Sequence, residues 1–142
     1  MRDGLLDPRA VLLNESATDR AAAIRRCGRA LVEVGAVAEP YIEAMLERER
    51  TISTYVGEGV AIPHGTNASK EDVKRDAICV VRFPGGIDWD GEQVTLCVGI
   101  AAKDDGHVPL LAALAEILLD PDRARTLREA TEVSQVMKEL TA

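Results

Sequence analysis

Two stretches of the chain, residues 77–83 (AICVVRF) and 94–102 (VTLCVGIAA), are nearly unbroken in apolar residues and rich in β-branched or cysteine side chains. A strand with one wet face alternates polar and apolar residues, so runs without alternation read as strands covered on both sides. Helical patterns flank them and can supply the cover. Ile24, Cys27, Leu31 and Val34 recur at three- and four-residue steps, with Thr18 or Ser16 as cap and Gly35 as terminator. Pro40 suits the first turn of a second helix, in which Ile42, Met45 and Leu46 form an apolar stripe and Glu47, Arg48, Glu49 and Arg50 crowd the last turn. From His107 the pattern is helical again, with Leu110, Leu111, Leu114, Ile117 and Leu118 on one face. Asp120 and Pro121 break it, and two more helices follow, one over residues 122–130 and one ending near Leu140. Residues 11–13 read as a first strand, and residues 60–62 as another that Pro63 stops just before His64. Pro84, Gly85 and Gly86 begin the connection between the two long runs. Strands interleaved with helices predict an α/β fold with one central sheet; the strand order is not legible at this level.

A length of 142 residues and 46% hydrophobic content suit one domain with one sizeable core. The net charge of -7 repels phosphate backbones and anionic membranes, and the four aromatic residues lie outside basic surroundings, which argues against a nucleic-acid partner. Cys27, Cys79 and Cys97 are odd in number and lack a C-x-x-C pair, so they read as buried thiols of a reduced protein. The opening MRDGLLDPRA has no apolar core of a signal peptide, and no apolar run reaches the roughly 20 residues of a membrane span. A cytoplasmic chain with no membrane insertion is expected.

Chemistry concentrates on two histidines. His64 lies between Pro63 and Gly65, where proline sets the backbone approach and glycine removes a neighbouring side chain, so an imidazole exposed at a strand tip is expected. Such a ring is largely neutral at pH 7 and can act as a nucleophile; equally, it can satisfy a turn hydrogen bond. His107 opens a helix, where free N–H groups and the dipole favour a phosphate oxyanion and disfavour a proton on the ring; it can also be an ordinary polar residue at a helix entry. Zinc bound by the two histidines with Asp104 and Asp105 is disfavoured, because no H-x-x-x-H or H-x-x-E-H spacing presents ligands together. No nucleotide fingerprint is present either, so no cofactor is expected.

Residues 44–66, AMLERERTISTYVGEGVAIPHGT, resemble the signature of the mannitol/fructose class of enzyme IIA in the bacterial phosphotransferase sugar-uptake system. The block GIAAKDDGH at residues 99–107 is similar to the family's later histidine segment, and the opening at residues 11–49 is similar too. The resemblance implies a single domain over residues 1–142 with a mixed central sheet flanked by helices. It also implies a phosphotransferase in which His64 is phosphorylated on Nε2 by the phosphocarrier protein HPr and passes the group to a cysteine of the IIB component, free or within a IICB permease. His107 matches the second active-site histidine and Arg48 the arginine that neutralises the phosphoryl charge, a role suited to a permanently charged guanidinium; Arg50 is its rival, and pairing with Glu43 or Glu47 is the bland alternative for both. Thr54, Glu58 and Thr66 stand close enough in sequence to orient His64, or are solvated loop positions. Gly65, Thr66 and Tyr55 resemble the mannitol branch, whereas fructose and nitrogen-regulatory members more often carry alanine after the histidine. The absence of an attached IIB sequence leads to the expectation of a stand-alone IIA protein. A regulatory module controlled by phosphorylation of the same histidine is the competing function.

Overall fold

The two apolar runs form the centre of the sheet. In the computed structural model, which describes residues 4–103 and 107–141 apart from the side chains of 107, 108 and 141, β4 (Ala77–Trp89) and β5 (Glu92–Ala101) pair antiparallel from Ala77 opposite Ala101 to Trp89 opposite Glu92. Asp90 and Gly91 turn the hairpin with φ of 55° and 94°, the left-handed pair that a two-residue hairpin loop requires. The expected connection at Pro84, Gly85 and Gly86 is therefore corrected: β4 runs through these residues, and they produce a register shift between Arg82 and Ile87. Exposed Pro84 and positive-φ Gly86 are compatible with an irregularity of this kind, which lets a strand continue past residues that normally end it.

β1 (Leu6–Leu12) lies parallel to β4, and β3 (Val60–Ala61) lies parallel to β5. β2 (Tyr55–Gly57), for which the sequence offered no run long enough to read, pairs antiparallel with β3. The order β1-β4-β5-β3-β2 makes one mixed five-stranded sheet. Alternate residues of the central strands enter two different cores, as the pleat dictates. Cys79, Val81, Phe83 and Cys97 pack with Ile24, Cys27, Leu31 and Met45 from α1 (Arg20–Glu33) and α2 (Pro40–Thr51). Ile78, Val80, Leu96 and Ile100 pack with Leu114, Leu127 and Leu140 from α3 (His107–Leu118), α4 (Pro121–Arg128) and α5 (Val133–Thr141). Both faces are covered, which is why neither run alternates.

The cap of α1 is Asp19, whose carboxylate accepts from the Ala22 N–H at 2.8 Å, rather than Thr18 or Ser16. Asp120 caps α4, accepting from Asp122 and Arg123, so the Asp-Pro pair that breaks α3 also starts the next helix. The three cysteines are buried and free, and Cys79 donates to the Cys27 carbonyl at 3.4 Å. Among the described residues, no helix is long and apolar enough to cross a membrane.

Candidate functional site

His64 is held by the strand that precedes it and by its neighbour across the sheet. The Ile62 N–H donates to the Thr54 carbonyl at 3.0 Å, the Pro63 carbonyl accepts from the Ile100 N–H at 2.9 Å, and His64 forms a parallel bridge to Ile100. The Tyr41 hydroxyl completes the clamp: it donates to the Ile100 carbonyl at 2.8 Å and accepts from the Gly65 N–H at 2.9 Å. One residue of α2 thus ties both chain segments that flank the imidazole. His64 Nδ1 lies 2.8 Å from the Ile62 carbonyl. A carbonyl can only accept, so Nδ1 carries the hydrogen and the basic lone pair of the neutral ring falls on Nε2.

The expectation of an exposed ring is corrected, because His64 is only 8% exposed. Gly65 permits close packing beside the ring. A Cβ there would stand 2.5 Å from Tyr41 Cε1 and 2.6 Å from Ser69 Oγ, so the space left by the missing side chain is filled by those two residues closing over the loop. Burial pushes the Tyr41 hydroxyl up to about 12. A tyrosine with a raised folded-state pKa favours the native state below its unfolded value of about 10 and loses that contribution as pH rises toward 12, about 3 kcal/mol across the two units. Alkaline unfolding of the parent should therefore be steeper between about pH 10 and 12 than that of Tyr41→Phe. At neutral pH the variant should lose about 2 kcal/mol, because two buried backbone groups are left unpaired; urea titrations at several pH values check both.

His64, Tyr41, Gly65, Thr66, Lys70 and Ala102 line a small pocket with about 10 Å³ of free space, room for about one water. A phosphoryl group attached to the ring would have to occupy the mouth of the pocket. Thr66 lines the pocket with His64, and its carbonyl accepts from both the N–H and the hydroxyl of Ser69, at 3.1 and 2.6 Å. Thr54 is adjacent through its backbone, but its hydroxyl is bonded to Glu49. Glu58 occupies the β2–β3 turn at φ 56°, and Arg128 donates to its carbonyl at 2.7 Å. Arg48 is half-buried near the end of α2 and donates to the Ile52 carbonyl at 2.8 Å. His107 opens α3, so its backbone is at a helix N-terminus as expected; its side chain, like Asp104 and Asp105, lies outside the described residues. Among the described residues, no cluster of three or more His, Cys, Asp or Glu side chains could hold a metal ion. From Ile62, two residues before the histidine, an apolar groove of about 110 Å³ extends over Val56, Leu111, Leu114 and Leu118.

Two contributors escaped the sequence reading. Lys70 belongs to a 3-10 turn, Asn67–Asp72, that has no apolar periodicity to announce it. Glu49 is buried at 6% exposure, and its carboxylate accepts from the Thr54 N–H at 2.9 Å, from the Thr54 hydroxyl and from Trp89 Nε1 at 3.2 Å, with Arg20 3.9 Å away. A signal did exist for Glu49, since it continues the Ile42, Met45 and Leu46 stripe at helical spacing and so sits on the buried face.

The profile of the phosphoenolpyruvate-dependent sugar phosphotransferase system EIIA 2 family matches residues 4–142. The chain belongs to this EIIA family. It is 41% identical over 135 residues to the mannitol-specific phosphotransferase enzyme IIA component of Staphylococcus aureus, covering 93% of this chain and 94% of the relative. Its fold superposes on the crystal structure of IIA mannitol from Escherichia coli with a TM-score of 0.87 at 32% identity, covering 95% of this chain and 98% of the other. The NMR structure of the Escherichia coli complex of enzyme IIA and phosphorylated enzyme IIB for mannitol gives a TM-score of 0.88 at 32% identity, with 96% and 98% covered. The mixed sheet and flanking helices inferred from the resemblance are those observed.

Proposed function

We propose that this EIIA-family protein is the phosphoryl carrier of a sugar-uptake system, accepting the group from phospho-HPr on His64 Nε2 and passing it to a cysteine of the IIB component. The observation that carries this reading is the 2.8 Å contact between His64 Nδ1 and the Ile62 carbonyl, which leaves the nucleophilic lone pair on Nε2. In the exchange, the Nε2 lone pair attacks phosphorus as the donor N–P bond breaks. The hydrogen stays on Nδ1, donated to the Ile62 carbonyl, and the donor ring leaves with the electron pair of the broken N–P bond, so no external base is needed. In the onward step a IIB thiolate attacks and His64 leaves as a neutral ring.

The group being moved is dianionic, and the chemistry asks mainly for positioning and charge stabilisation. Arg48 and His107 are the partners we assign to its oxygens. Arg48 would exchange its bond to the Ile52 carbonyl, worth about 1 kcal/mol, for a charge-assisted one to phosphate. Thr66 and the backbone of Thr54 hold the loop; Glu58 supports it from the adjacent turn. The apolar groove at Ile62 suits brief docking of donor and acceptor. Mannitol is the sugar we assign, in line with the mannitol-specific Staphylococcus aureus relative.

Incubation with phosphoenolpyruvate, enzyme I and HPr should add one acid-labile, alkali-stable phosphoryl group, read by intact mass and mapped to His64. A labelled peptide that excludes residue 64 would overturn the reading. Restored mannitol uptake in a strain lacking its own mannitol IIA tests transport against a regulatory role.

A further inference from the structure

Phosphorylation would place about two negative charges on a ring that is only 8% exposed, and such charge is tolerated in a poorly solvated place only beside a cation or several donors. Arg48 as it stands is bonded to the Ile52 carbonyl. Among the described residues lining the His64 pocket, the basic side chain besides the imidazole itself is that of Lys70. Its backbone is fixed from both sides. Ser69, buried at 5% exposure, bonds to the Thr66 carbonyl through N–H and hydroxyl, and the Lys70 carbonyl accepts from the Val73 N–H at 3.1 Å. The 3-10 turn therefore presents the root of this side chain to the same pocket that holds the imidazole, and a lysine stem can carry a compact charge to its mouth.

We propose that Lys70 is a further catalytic residue, whose ammonium group contacts the phosphoryl oxygens of phosphorylated His64. The inference rests on the carrier reading and adds to it a charge that no sequence motif identified. A lysine suits the task because transfer needs stabilisation of a moving group without a tight grip: one mobile point charge follows the oxygens and releases them, where a bidentate fork would hold them. The other charged residues of the turn, Glu71 and Asp72, lie beside Lys70 and oppose its effect.

The test uses phosphoramidate, a small donor with no protein surface, so that any role of Lys70 in docking HPr drops out. The His64 Nε2 lone pair attacks phosphorus, the N–P bond of phosphoramidate, whose nitrogen already carries three hydrogens, breaks, and neutral ammonia departs with the electron pair of that bond. Rates are followed by intact mass, and the ionisation of the attached phosphoryl group by 31P NMR titration. Loss of a neighbouring cation should raise that ionisation by about one unit from its position in the parent protein, and slow phosphorylation roughly tenfold. Lys70→Gln should show both changes, and Lys70→Arg should restore most of the titration shift. Lys74→Gln removes an exposed positive charge four residues on and should leave both quantities at parent values. Unchanged titration in Lys70→Gln, or an equal shift in Lys74→Gln, overturns the assignment. If Lys70→Gln fails to fold, Lys70→Met takes its place: a rise of about one unit supports the assignment and an unchanged titration overturns it. A parent protein that takes no phosphoryl group at His64 would sink the carrier reading itself, a result distinct from a phosphorylated protein indifferent to Lys70.

Discussion

His64→Ala should fold, melt close to the parent, and take up no phosphoryl group from phospho-HPr. The two effects separate because their magnitudes differ so widely. Removing the ring deletes the hydrogen bond to the Ile62 carbonyl, and a bond of that kind is worth about 0.5–1.5 kcal/mol. The clamp itself uses backbone groups and the tyrosine: Pro63 and Gly65 keep their bonds to Ile100 and Tyr41. Covalent acceptance, by contrast, is assigned to His64 alone. Cys27, Cys79 and Cys97 are buried, and the neighbouring Cys27 sulfur together with burial pushes the Cys79 thiol well above its ordinary range, so none is available as an alternative acceptor. Intact mass after incubation with the full donor chain, paired with a thermal melt, reads both quantities. Undiminished labelling of the variant would defeat the assignment of the nucleophile.

Glu49→Leu is expected to produce the largest loss of stability, about 3–5 kcal/mol, or a fall in Tm of roughly 10–17 °C. Glu49 is a buried carboxylate at a position where helical spacing calls for an apolar residue, and it is tolerated because Thr54 and Trp89 satisfy it with Arg20 nearby. Leucine would remove the acceptor and leave the Thr54 N–H, its hydroxyl and the Trp89 indole N–H without their partner, in residues 4% and 1% exposed. Each orphaned donor costs about 1–3 kcal/mol, more than the burial of a leucine in that space recovers. The consequence reaches the site, since the Thr54 carbonyl holds Ile62, whose own carbonyl orients the His64 ring. Glu49→Gln keeps one acceptor and should lose less. Chemical denaturation of the three proteins measures the series, and a Glu49→Leu protein within about 1 kcal/mol of the parent would show that the buried carboxylate contributes little.

Most of the elements were legible because their signals are local. Unbroken apolar runs marked β4 and β5, three- and four-residue steps marked α1, α2 and α3, and Asp120-Pro121 marked a boundary. The Asp90-Gly91 hairpin was equally local, yet Pro84 and the two glycines after it gave a stronger turn signal that pairing with β5 overrode. β2 and the 3-10 turn are three and six residues long, too short for periodicity to show; the first pairs with the strand that leads to the histidine and the second follows it in the chain.

The sequence by itself determined that two strands would be buried on both faces and that His64 would follow the end of a strand at a proline, since apolar pattern and proline geometry act within a few residues. Its motifs also marked the family to which the chain belongs. Tertiary structure decided that the imidazole would be covered, that its Nδ1 would face a carbonyl, and that Tyr41, Ile100 and Lys70 would meet around it. Those contacts join residues up to 59 positions apart, and no local preference encodes them; they exist because β3 lies parallel to β5 while α2 packs across the sheet.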